Sequence, residues 1–130
     1  MIEVKDIEKS FDGVKVLKGV SATFETGKTN LIIGQSGSGK TVMMKSLVGL
    51  VRPEKGQILY DGRNLLTMNR EEVQQLRTEI GMLFQGSALF DSETVLGNVE
   101  FPLMMYTRMT WAERRDRAQF CLERVGLKGA

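Results

Sequence analysis

The chain has 130 residues, enough for one domain and short for two, with 42% hydrophobic residues, 26% charged residues and Pro 2. Its formal charge of +2, from 18 basic and 16 acidic side chains, argues for neither a nucleic acid nor an anionic membrane as partner. Histidine is absent, which removes Ser-His and Cys-His catalysis and every His-ligated metal site.

The lone Cys121 allows no internal disulfide and reads as a packed thiol in a reducing compartment. Residues 1–6 hold no apolar signal core, and no apolar run has the length to span a bilayer. A cytoplasmic chain is expected, reaching a membrane only through a partner.

Ile2, Val4 and Ile7 alternate with or flank charged residues and predict a half-buried strand running toward Phe11. Asp12-Gly13 signals a turn. Val14, Val16 and Leu17 begin a second extended piece, and Val20, Ala22 and Phe24 alternate through a third that ends at Glu25-Thr26-Gly27. Short strands joined by tight turns predict a small antiparallel sheet. The continuous apolar run Leu31-Ile32-Ile33 predicts a strand buried on both faces.

Gly34-Gln35-Ser36-Gly37-Ser38-Gly39-Lys40-Thr41 follows at once and satisfies G-x-x-x-x-G-K-[ST] between a strand-like and a helix-like run. This is a phosphate-binding loop. Gly34, Gly37 and Gly39 are expected to take positive φ, so that backbone N–H groups turn toward one point. The helix opening at Val42 adds free N–H donors and the positive end of its dipole. Lys40 is expected on the β- and γ-phosphates, and the Thr41 hydroxyl on Mg²⁺.

In that helix Met43, Met44, Leu47, Val48 and Leu50 form the apolar face, with Gly49 weakening its end and Pro53 stopping it. Gln57-Ile58-Leu59-Tyr60 before Asp61-Gly62 reads as a further strand and turn of the antiparallel sheet. Asn69, with Glu72 in capping-box position, begins a short helix whose Val73 and Leu76 face inward. Ile80-Gly81-Met82-Leu83-Phe84 reads as a second buried strand, followed by Gln85 and a loop. Thr94-Val95-Leu96 opens a helix expected to halt near Pro102. Thr110-Trp111-Ala112-Glu113 is another capping box. It starts an amphipathic helix with Ala118, Cys121, Leu122 and Val125 inward and Gly126 as its stop. Arg114, Arg115 and Arg117 read as a solvated helix face or, less simply, a partner surface.

In this order the motifs resemble the nucleotide-binding domain of ATP-binding cassette (ABC) transporters over the whole chain. The features that carry the likeness are Lys9-Ser10-Phe11-Asp12-Gly13, the phosphate loop, the stretch from Pro53 through Asp61-Gly62, and Ile80-Gly81-Met82-Leu83-Phe84-Gln85. The resemblance implies an α/β P-loop NTPase of ABC type with an N-terminal antiparallel β-subdomain, truncated within the helical subdomain. Residues 1–30 and 54–68 would form the β-subdomain, 31–53 and 79–86 the P-loop core, and 87–130 the start of the helical subdomain.

The resemblance also implies site residues. Phe11 falls at the aromatic position that stacks on adenine, although a Phe closing a strand is often core. Val16 would touch base or ribose. Gln85 matches the Q-loop glutamine, which reaches Mg²⁺ and the attacking water and couples to the membrane subunit; the plain alternative is a polar strand end. The catalytic pair is then Lys40 and Gln85, and the metal pair Thr41 and Gln85. The cofactor-binding set is Phe11, Val16, Gly34, Gln35, Ser36, Gly37, Ser38, Gly39, Lys40, Thr41 and Val42, with ATP and Mg²⁺ as ligands.

A narrower likeness, to the ATPases of Mla/Mce-type lipid transporters, rests on Phe84-Gln85-Gly86-Ser87-Ala88-Leu89-Phe90-Asp91-Ser92 and on Val95-x-x-Asn98-Val99-x-Phe101-Pro102-Leu103. It implies a lipid or phospholipid cargo. Leu89-Phe90 and Leu103-Met104-Met105-Tyr106 become candidates for packing on a permease, or for subdomain core.

No L-S-G-G-Q signature, no apolar strand ending in Asp-Glu and no switch histidine is present in these residues. The chain is therefore expected to bind ATP·Mg weakly and hydrolyse it negligibly. The implied partners are a transmembrane permease subunit and a second ATPase subunit, on the cytoplasmic face of the inner or plasma membrane. Neither nucleic-acid binding nor direct membrane insertion is expected. Two rival readings are a non-ABC P-loop kinase or GTPase, disfavoured by the lack of N-K-x-D, and a regulatory module complete as it stands.

Overall fold

Alternating apolar and charged residues put strand β1, Ile2–Phe11, at the heart of an antiparallel sheet. The computed structural model describes residues 1–83 and 89–130. They divide into two units, Met1–Ile80 and Gly81–Ala130.

In the first unit the sheet has the order β2-β1-β3-β4, with β2 Val14–Phe24, β3 Lys55–Tyr60 and β4 Arg63–Asn64. The Asp12-Gly13 turn joins β1 to β2, and Asp61-Gly62 joins β3 to β4. The two extended pieces expected between residues 14 and 24 are one strand. The register runs Ile7↔Val20 and Glu8↔Lys18, so Gly19 is an extra residue in the ladder rather than a break.

A second bulge sets the contact of β1 with β3. Lys5 pairs with Gln57 and Glu8 with Lys55, so Asp6 and Ile7 together face Gly56. Asp6 sits at φ 50, and its N–H donates to Ser21 Oγ at 2.9 Å while the Ser21 hydroxyl donates to Asp6 Oδ1 at 3.1 Å. Gly56 has φ 102, and a Cβ there would lie 2.5 Å from Lys5 O and 2.7 Å from Asp6 O. Only glycine lets the backbones approach this closely.

The buried face of the sheet carries Val4, Ile7, Leu17, Ile58 and Tyr60. Helix α1, Lys40–Leu47, packs Met43 and Leu47 into the same core, with Leu65 from a 3-10 turn, Leu65–Thr67, and Leu76 from α2, Arg70–Thr78. Each such side chain contributes about 1.5–3 kcal/mol of burial. The capping box at Asn69 forms as expected: Glu72 N–H donates to Asn69 Oδ1 at 2.9 Å and Asn69 N–H to Glu72 Oε2 at 3.4 Å. Helix α1 ends earlier than expected. Gly49 N–H bonds Ser46 O and Leu50 N–H bonds Lys45 O, a Schellman motif that stops the helix before Pro53. Leu50, beyond the helix end, is exposed, and so is Met44 within the helix.

Among the described residues, neither of the buried strands expected at residues 31–33 and 80–84 is formed. Residues 31–33 and 80–83 are irregular, Leu31, Ile33 and Leu83 are 84%, 81% and 97% exposed, and only Ile32 and Ile80 pack against the core. A strand exists as part of a ladder, and among the described residues neither segment pairs with another strand.

The second unit holds α3, Val95–Tyr106, and α4, Trp111–Arg124. Thr94 caps α3, and the helix runs through Pro102 instead of halting there. Pro102 faces solvent, where water can satisfy the carbonyl that lost its N–H donor. The Asn98 side chain ties the preceding chain to α3, accepting from Phe90 N–H at 2.8 Å and donating to Phe90 O at 3.2 Å. Phe90 then meets Phe101 edge to face, with centroids 4.7 Å apart. Helix α4 opens on the expected Thr110–Glu113 capping box and closes on a Schellman motif at Gly126. Ala118 and Leu122 are buried, but Val125 is 70% exposed because the helix has ended at Arg124. Among the described residues no helix is long and apolar enough to cross a membrane.

Candidate phosphate-binding site

The start of α1 differs from that of the other helices among the described residues. Asn69, Thr94 and Thr110 cap α2, α3 and α4 with side-chain oxygens. Helix α1 instead begins after Gly39, at φ 97, with no side-chain cap and no acidic residue in its first turn. Its N-terminal N–H donors and dipole are thus left for an anion.

The loop before it is folded onto itself. Ser38 N–H donates to Gln35 O at 3.1 Å, and Gly37 takes φ 80. Gly34 does not adopt the positive φ expected of it. It leaves room for a side chain, since a Cβ at Gly34 would lie 2.6 Å from Ser38 Oγ. The Lys40 ammonium lies back across the loop, donating to Gly34 O and, at 3.0 Å, to Gln35 O. Its charge is therefore held on the loop, and carbonyl partners can be exchanged for phosphate oxygens. Thr41 is exposed in the first turn of α1, with Val42 half-buried behind it.

Strand β2 braces the loop. A Cβ at Gly39 would stand 3.3 Å from Leu17 Cδ2 and 3.4 Å from both Val16 Cγ1 and Val16 O. Val16 has no direct partner in the β1–β2 register, in which Lys9 faces Leu17 and Ser10 faces Lys15. That irregularity leaves Val16 against the loop. Phe11 is at the tip of the same hairpin, paired with Val14 and 44% exposed. Residues 34–42 and Val16 are thus brought together, and Phe11 stands on the hairpin that carries Val16. Gln85 lies outside the described residues.

Sequence reasoning missed the side chains that hold the other end of α1. The buried Tyr60 donates its hydroxyl to Leu47 O, and burial raises its pKa. Arg77 Nε donates to Val48 O at 3.1 Å and Arg77 Nη2 to Gly49 O at 3.2 Å, a cation at the negative end of the helix dipole. Ser46, fully buried, donates back to Val42 O at 2.7 Å. Nothing local marks Tyr60 or Arg77, because their partners lie 13 and 28–29 residues away. Lys9, also missed, lies over the Phe11 ring at 5.1 Å from its centroid. Here a signal existed, because residues i and i+2 of a strand share a face.

A phosphate fits this site: an uncapped helix start, positive-φ glycines and an ammonium converge on one loop. Mg²⁺ fits as well. It is commonly held by one or two protein oxygens with phosphate and water. A carboxylate cluster is not required, and among the described residues there is none.

Loop, helix and lysine together define a P-loop nucleotide-binding fold. The family model described as ABC transporter matches residues 17–130, and the chain belongs to that family. It is 41% identical over 128 residues to the "Probable ribonucleotide transport ATP-binding protein mkl" of Mycobacterium leprae (strain TN), covering 98% of this chain and 37% of that protein. It is 33% identical over 130 residues to the "Intermembrane phospholipid transport system ATP-binding protein MlaF" of Escherichia coli (strain K12), covering 100% of this chain and 48% of that one. The solved dimeric structure of MJ0796, a bacterial ABC transporter cassette, superposes with a TM-score of 0.84 at 33% identity, over 99% of this chain and 59% of that chain. The chain therefore spans less than half the length of the curated relatives named above. The reading as a non-ABC P-loop enzyme is set aside by the family match.

Proposed function

We propose that this chain forms the phosphate- and base-binding part of an ABC ATPase that couples ATP binding and hydrolysis to transport across a membrane. The observation that carries the proposal is the uncapped start of α1 with Lys40 laid across the loop before it. In this reading the free N–H groups of the loop and of the first turn of α1 receive the phosphate oxygens, and Lys40 leaves its carbonyl partners for the β- and γ-phosphates. Mg²⁺, when bound, would neutralise phosphate charge and be held by Thr41, with Gln85 as second protein ligand. Val16 and Phe11 would contact ribose and base. Family membership and the "ATP-binding" names of the relatives support ATP as the nucleotide.

The working unit would pair this protein with a second ATPase subunit and a transmembrane permease, at the cytoplasmic face of the membrane. Apolar side chains exposed on the second unit, Leu89, Met104, Met105 and Tyr106, are the surface proposed to meet the permease. The name of MlaF supports a phospholipid cargo and that of mkl a ribonucleotide. The lipid reading is the one proposed, because the stretch around Asn98 and Phe101 carries the Mla/Mce likeness.

The general base and signature are proposed to come from sequence not represented in residues 1–130. This chain alone should therefore bind ATP·Mg with negligible turnover. Titrating it with ATP·Mg while measuring phosphate release tests this. Saturable binding without release is expected; sustained turnover would show that the catalytic residues lie within these residues and overturn the assignment.

A further inference from the structure

Lys9 is a lysine in an unusual place. Its side chain is drawn in to 18% exposure, and its charge there is met by partners. Three partners surround its ammonium. Nζ donates to Arg52 O at 3.0 Å, lies 3.4 Å from Glu54 Oε1, and stands 5.1 Å from the centroid of the Phe11 ring. An ammonium has three donors, and each has a direction to serve.

These partners join two parts of the site. Arg52 and Glu54 lie in the segment that leads from α1 to β3. That segment is tied to β1 a second time, since Glu54 N–H donates to Glu8 O at 2.9 Å. The Glu54 carboxylate is fixed in turn, accepting from Ser10 N–H at 3.3–3.4 Å. The chain leaving the phosphate-loop helix therefore holds an ammonium against one face of Phe11. Phe11 as a residue remains 44% exposed at the hairpin tip.

We propose that Lys9 is a positioning residue: it fixes the plane of the Phe11 ring, so that the ring's remaining face stacks on the base of a purine nucleotide. The inference rests on Phe11 being the base platform. Two physical effects act together. The cation occupies one face by attraction to the ring quadrupole and stops the ring from turning edge-on. It also draws π density toward itself, which makes the opposite face a better partner for an electron-rich purine. Since Lys9 is anchored to the exit of α1, base platform and phosphate cradle keep a set spacing.

The test compares ATP with inorganic tripolyphosphate, which has the phosphates and no base, as ligands of this chain. Stacking on an aromatic ring predicts that Phe11→Ala weakens ATP about 5- to 100-fold and leaves tripolyphosphate unchanged. Lys9→Met keeps the stem and loses the charge; it should weaken ATP about 3- to 10-fold, again without effect on tripolyphosphate. Lys9→Arg, which retains a cation over the ring, should recover most of that loss. Glu54→Gln removes the anionic one of the two anchors of the ammonium, leaving Arg52 O, without changing Lys9 or Phe11; it should weaken ATP alone, by less than Lys9→Met, so the inference can be judged even where Lys9→Met does not fold. If Phe11→Ala lowers ATP affinity but Lys9→Met and Glu54→Gln do not, or if they weaken both ligands equally, the role of Lys9 is refuted. If Phe11→Ala itself leaves the ratio of the two affinities unchanged, the platform reading fails and the inference falls with it.

Discussion

Replacing Gly56 by alanine perturbs the point where β1 and β3 come closest. The new Cβ would lie 2.5 Å from Lys5 O, 2.7 Å from Asp6 O and 2.7 Å from Ile7 Cα, all backbone atoms that no rotamer change can move. The residue would also be held at φ 102, a strained conformation for an L side chain costing about 1–3 kcal/mol. Overpacking of a tight site adds about 1–3 kcal/mol more. The sum, about 2–6 kcal/mol, is a large part of the roughly 5–15 kcal/mol that holds a domain folded. Gly62 supplies the control. It has φ 84 in the β3–β4 turn, but a Cβ there meets nothing within 4 Å, so Gly62→Ala carries the backbone cost alone. Urea unfolding followed by far-ultraviolet circular dichroism should place Gly56→Ala well below Gly62→Ala, with the difference measuring the steric part. Equal losses for the two variants would refute the close approach of β1 and β3.

Other expectations can be checked in the same way. Tyr60→Phe removes the hydroxyl that meets Leu47 O and should cost about 1–2 kcal/mol in urea unfolding. Asn69→Ala breaks the capping box of α2 and should cost about 1 kcal/mol, less than Tyr60→Phe if α2 frays independently. Glu8 is held below the usual carboxylate pKa by the hydrogen bond and charge of Lys15, with burial opposing and Lys55 assisting. Glu79 is lowered first by its hydrogen bond from Arg63, against burial. A depressed folded-state pKa contributes stability above the ordinary value of 4.5 and loses it as pH falls through the folded value. The urea midpoint should therefore hold steady from neutrality to about that pH and drop below it, and Glu8→Gln should flatten the drop.

What could be read from the sequence was whatever is fixed locally. The glycine-rich turn ahead of α1, the capping boxes at Asn69 and Thr110 and the turns at Asp12-Gly13 and Asp61-Gly62 are short-range devices, and each stands where its residues predict. Elements that depend on a partner far along the chain were harder. Leu31-Ile32-Ile33 has the composition of a buried strand, but a strand also needs a neighbour, and among the described residues it has none. The two extended pieces read between residues 14 and 24 are one strand, because the ladder on either side outweighs the one extra residue, Gly19. Pro102 looks like a stop and is not one, because a solvent-facing proline leaves its unpaired carbonyl to water. In the candidate site, the glycine loop and Lys40 were legible. The braces Tyr60 and Arg77 were not, since hydrogen bonds across 13 to 29 residues appear only once the chain has folded, whereas Lys9 was legible only as sharing a strand face with Phe11.

The central claim is that the loop at residues 34–41 and the start of α1 bind the phosphates of ATP, with Lys40 as their main charged partner. Equilibrium titration of ATP·Mg into this chain and into Lys40→Ala tests it most directly. Each charge-assisted hydrogen bond to phosphate contributes about 1.5–3 kcal/mol, so the variant should bind about 10- to 150-fold more weakly, with its circular dichroism unchanged. Equal affinity of the two proteins for ATP·Mg would contradict the account.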